Sequence, residues 1–97
     1  MVVRMVEVHE TARHSGEGSP PFSLREVFVN PEHVACLRED LAMGKKLHSG
    51  LLPEELDSRQ RFTKIHLNRG LSGIDLVVVG DPKTIQNKLT GQILLKG

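Results

Sequence analysis

The chain predicts a small α+β domain: a mainly antiparallel sheet of about five strands, with one C-terminal helix packed on it. Three observations carry this. Short runs rich in Val, Ile and Leu alternate with charged residues at a period of two, as half-buried strands do. Gly, Pro, Asn and Ser cluster between those runs. One stretch alone, after Asp81, changes to a helical period.

Each element follows in order. Residues 2–9, VVRMVEVH, are Val-rich but interrupted by Arg4 and Glu7, which predicts a first strand with one partly buried face. Residues 14–21, HSGEGSPP, read as a flexible loop. The runs 23–30 and 33–40 flank Pro31 and Glu32, and because proline pre-sets a turn, the pair is expected to form a hairpin. Residues 41–60 break the β pattern and read as an insert between strands. Asp40 is placed to cap a short helix through Leu47 that Gly50 ends, and Pro53 to start a further turn over Glu54 to Leu56; with Gly44 and Pro53 as breakers, a mobile excursion is the competing expectation.

Residues 61–69, RFTKIHLNR, alternate cleanly, with Thr63, Ile65 and Leu67 on one side and Phe62, Lys64, His66 and Asn68 on the other. After the turn GLSG (70–73), IDLVVVG (74–80) is apolar on both faces, as a central strand is. Asp81 is a good N-cap, Pro82 suits the first helical position, and Ile85, Leu89 and Ile93 recur every four residues. Gly91 weakens the last turns of that helix by about 1 kcal/mol relative to Ala.

Ninety-seven residues are enough for one domain with one modest core. With three Phe and no Trp or Tyr, that core is aliphatic. Charged residues interrupt the first 25 positions and the longest strong apolar run is Leu76 to Val79, so the sequence predicts no signal peptide, no membrane span and a cytoplasmic protein. The lone Cys36, in a strand-like run, reads as a small buried hydrophobe. Net charge is +1, yet residues 1–57 carry six Lys/Arg and ten Asp/Glu, against seven and two for residues 58–97. Segregation of that kind supplies complementary faces or attracts an anionic partner.

Motifs for chemistry are few. VVVGDPKT (77–84) leads from a strand to Lys-Thr at a helix start, but a phosphate loop needs glycine directly before the lysine, and Pro82 stands there. His9, His14, His33, His48 and His66 show no chelating spacing, so no metal or cofactor is expected. Cys36 and His33, three apart, fall on opposite faces of one strand and make no nucleophilic pair. RFTKIHLNRG offers the candidate binding surface: Phe62, Lys64 and His66 at two-residue spacing, with Arg59, Arg61 and Arg69 around them. A ring for stacking beside cations for phosphate is the chemistry of single-strand nucleic-acid binding.

VFVNPEHVACL, RFTKIHLNRG and DLVVVGDPKTIQNKL together resemble, in order and rhythm, the small FlbD-type flagellar and swarming-motility proteins. Asn30, Pro31, Thr63, Leu67, Gly70, Val77 and Ile85 fall at the framework positions. The loop 14–21 and the insert 41–60 have no counterpart in the minimal FlbD pattern. More distantly the chain is similar to the RemA-type bacterial matrix regulators, which bind DNA. The resemblance implies a bacterial or phage-borne, non-enzymatic module. The residues lead the same way: a small interaction module that binds a protein partner or itself, as a homodimer or larger closed oligomer, is expected first. A nucleic-acid-binding regulator using 59–69 comes second.

Overall fold

The computed structural model describes residues 2–11, 21–70 and 72–96, with backbone alone at 69, 72 and 92–96. Five strands, β1 (Val3–Glu10), β2 (Phe22–Val29), β3 (Val34–Glu39), β4 (Phe62–Arg69) and β5 (Ser72–Val79), form one sheet in the order β2-β1-β5-β4-β3, every pair antiparallel. Helix α1 (Leu41–His48) follows β3, and α2 (Pro82–Lys96) closes the described chain. The central position of β5 agrees with its apolar character on both sides. Most of the loop expected at 14–21, and the side chain of Ile93, lie outside the described residues.

One expectation is overturned. β2 and β3 do not pair as a hairpin; they are the two opposite edges of the sheet. Between them Pro31–His33 form a turn of 3-10 helix, started by Asn30, whose side chain accepts a hydrogen bond from the Glu32 N–H at 2.9 Å. A hairpin needs a turn that reverses the chain onto the neighbouring strand, and this turn instead links the two opposite edges. The link has a geometric consequence. Val29 to Val34 reaches at most about 17 Å, whereas the edges of a flat five-stranded sheet lie about 19 Å apart. The sheet therefore cannot lie flat there and curls enough to bring the end of β2 and the start of β3 within reach of that link.

Two apolar clusters lie on the two faces. On one face Val3 and Met5 of β1, Val29 of β2, Ile65 of β4 and Val78 of β5 are buried under Ile85 and Leu89 of α2. Val34 and Leu37 are only partly buried, because β3 is an edge strand. Asp81 caps α2: its carboxylate accepts from the Thr84 hydroxyl at 2.6 Å, which holds the carboxyl below the usual carboxylate range. Gly80, at φ 129°, makes the bend between β5 and α2. A Cβ there would stand 3.0 Å from Ile85 Cδ1, so the position needs glycine for its space as well as its backbone. Thr63, wholly buried at this corner, donates its hydroxyl hydrogen to the Gly80 carbonyl at 2.8 Å.

On the other face Val8 of β1 and Phe62 of β4 are buried with Met43 of α1 and Leu52 of the segment after it. Phe22, Leu24, Leu47, Leu56, Val77 and Val79 complete that cluster. The short helix forms as its capping residue predicts. Asp40 Oδ1 accepts from the Met43 N–H at 2.9 Å, the Asp40 N–H donates to the Phe62 carbonyl at 2.8 Å, and Gly50 takes φ 78° just past the helix end. Gly44 is tolerated inside α1, and a turn closes over Pro53 to Leu56. The insert is thus a packed second cover for the sheet.

Candidate functional site

The residues of the predicted binding surface do not converge. Phe62 is wholly buried beneath α1 and Leu52, so it has no face for a base to stack upon. Strand alternation explains this: Phe62 points away from α2, and the insert, which the sequence did not place, covers that side. Arg61 is held by Glu39 through two hydrogen bonds, Nε to Oε2 at 2.7 Å and Nη2 to Oε1 at 2.8 Å. That contact keeps the Glu39 carboxyl below its ordinary range and raises the guanidinium. Arg59 forms a similar fork with Asp57, at 3.1 Å on both arms, and lowers that carboxyl too. Lys64 and His66 leave the opposite face from Glu39 and its partner Arg61, following β4 alternation. The side chain of Arg69 is not described. The basic run is thereby divided between two faces, with both of its described arginines already paired to carboxylates.

The structure brings together three other features. A groove of about 480 Å³ runs between α1 and residues 58–62, with Leu41 and Gly44 on its apolar side and Lys45, His48 and Arg59 also lining it. A second groove, about 250 Å³, opens beside the turn at Asn30–His33, and Val2, Phe28, Leu67 and Ile74 line it. Phe28 is 57% exposed, Val2 53% and Ile74 43%, an apolar patch at the curl of the sheet. The sequence held one sign of it. Phe28 stands two residues beyond Glu26 on the same strand face, past the stretch that any cover protects. Third, the open half of the outer face carries charged pairs: Arg4 with Glu26, and His66 Nδ1 2.6 Å from Asp75 Oδ1.

Cys36 is exposed, which corrects its reading as a buried hydrophobe. β3 is an edge strand with a bulge between Val34 and Cys36, and its outer face at that point lies beyond the reach of α1. Among the described residues no group of three or more His, Cys, Asp or Glu side chains is arranged to hold a metal ion. Nor is any helix among them long and apolar enough to cross a membrane. No protein-family model, curated protein or solved structure matches this chain.

Proposed function

We propose that the protein is a small non-enzymatic interaction module, cytoplasmic and of bacterial or phage origin as its FlbD-like rhythm implies, that binds a protein through the apolar groove at the curl of its sheet. The occupant it fits first is a second copy of the chain. The observation that carries the reading is the exposure of Phe28, Val2 and Ile74 around one groove. Large apolar side chains gathered at one place on the surface of a small domain mark an interaction site more often than scattered ones do. Among the described residues β2 is an edge of the sheet and lends Phe28 and Val29 to the groove, and covering that edge would add hydrogen bonds to the apolar contact. The divided, carboxylate-paired basic run favours a protein over a nucleic acid as partner.

Light scattering across micromolar concentrations, on the wild type and on Phe28→Glu/Ile74→Glu, tests this. A homodimer or larger closed oligomer that the double substitution dissolves is the expected result. A strict monomer at high micromolar concentration removes the second copy as occupant. Tight, salt-sensitive binding of single-stranded DNA or RNA, lost in Arg61→Ala/Lys64→Ala, would replace the reading with the nucleic-acid one.

A further inference from the structure

Three strands place a thiol, an imidazole and a carboxylate in one row. In the β3–β4 ladder Cys36 stands directly opposite His66, and in the β4–β5 ladder His66 stands opposite Asp75. Residues opposed in this way share a sheet face, with Cβ atoms about 4.5–5.5 Å apart. No spacing along the chain shows the row, because its members are 30 and 9 positions apart and come from three strands.

The row is ordered at one end. Asp75 Oδ1 lies 2.6 Å from His66 Nδ1, so an N–H at Nδ1 donates to the carboxylate, and in the neutral ring that leaves the lone pair on Nε2. That Nε2 is shielded from solvent and has no hydrogen-bond partner among the described residues. A buried polar nitrogen left without a partner calls for an explanation. On the neighbouring strand Cys36 is exposed, just past a shift in the strand register. The next row on the same face sets Arg38 opposite Lys64.

We propose that Cys36 is a site of covalent modification by small disulfides and other soft electrophiles, with His66 as its base and Asp75 as the group that positions the ring. The reacting conformer is the staggered χ1 well of Cys36 that turns its sulfur toward His66 on the neighbouring strand. The thiol proton passes to Nε2, and the thiolate attacks one sulfur of the incoming disulfide. A mixed disulfide forms on Cys36 as the reagent's own S–S bond breaks. The departing thiolate takes the proton from His66. Cys36 is oxidised and the reagent reduced by the same two electrons, and no further reactant is needed. The product would place a bulky group on an edge strand of the open face.

The test is the second-order rate of the full chain with 2,2′-dithiodipyridine, an uncharged disulfide, at pH 7.0. The same chain unfolded in urea is the reference, and mass spectrometry confirms one adduct on Cys36. The folded chain is expected to react about tenfold faster than the unfolded one. His66→Asn should return the folded rate to the unfolded reference, while Asp75→Asn should lower it about threefold, the ring being present but unheld. Circular dichroism on both variants verifies the fold. A folded wild type no faster than its unfolded form overturns the proposal without recourse to any variant. So does a folded His66→Asn that reacts as fast as wild type.

Discussion

The two covers of the sheet differ in kind. α2 lays Ile85 and Leu89, spaced by four, over Val3, Met5, Val29, Ile65 and Val78. The opposite cover is pieced together from one buried methionine of α1, Leu52 from the segment that follows, and partly buried Leu47 and Leu56. The first uses one regular element with a continuous stripe; the second uses scattered residues separated by Gly50 and Pro53. Yet each leaves a β4 side chain wholly buried beneath it, Ile65 on one face and Phe62 on the other. An irregular cover protects a sheet as completely as a helix does when its apolar residues arrive in the right places.

Paired truncations give the largest effect and test that equivalence directly. Phe62→Ala is expected to cost about 3–5 kcal/mol and Ile85→Ala about 2–5 kcal/mol, measured by urea unfolding. A loss under about 1 kcal/mol for Phe62→Ala would show that the pieced cover opens independently of the rest. Next come two substitutions at the margins of the α2 face. Gly80→Ala forces a Cβ against Ile85 at a φ that L-residues avoid, with an expected loss of about 1–3 kcal/mol. Arg25→Ala leaves the buried Glu7 carboxylate without its 2.9 Å partner and is expected to cost about 1–3 kcal/mol in the same assay.

The caps follow. Asp40→Ala and Asp81→Ala should each lower stability by about 1 kcal/mol. Hydrogen exchange should separate them, loosening only the amides of α1 and residues 49–56 in the first case and only α2 in the second. The smallest effect is the response to acid. Glu39, Asp57 and Asp81 all have folded-state carboxyls held below their ordinary range, so the unfolded chain takes up their protons first. Their contribution is complete above about pH 5 and is lost as pH falls through and below about 4. A melting temperature that stays flat from pH 6 to pH 3 would contradict those three contacts.

The same contrast separates what is legible in the sequence from what is not. Periodicity discloses α2, the central β5, the cap at Asp40 and the alternation of β4, since each is a local signal. Alternation also divides Phe62 from Ile65 correctly. What it cannot express is which side meets water, and the ring assigned to a binding surface is core because Met43 and Leu52 cover it. Pro31 and Glu32 announce a turn, but nothing local distinguishes a reversal from a crossing between sheet edges. The candidate site is the least legible part for the same reason. Arg59 and Arg61 read as free cations because their partners Asp57 and Glu39 precede the run, and Glu39 lies 22 positions away from Arg61. The row Cys36, His66, Asp75 exists only through strand pairing.

The crossing at Asn30–His33 also orders events during synthesis. β1 and β2 emerge first and pair with each other, but the other neighbour of β1 is β5, which ends at Val79. A two-stranded ribbon is marginal in water. The β1–β2 ribbon must therefore wait, largely unsupported, until β5 has been made. Contacts that span so much sequence make folding slow relative to stability, and they leave the early ribbon exposed to other chains in the interval. A circular permutant opened between Asn30 and His33, with its old termini linked, would make β3, β4, β5, β1 and β2 in that order. Every ladder would then join strands consecutive in the chain, and the permutant should refold faster than the parent.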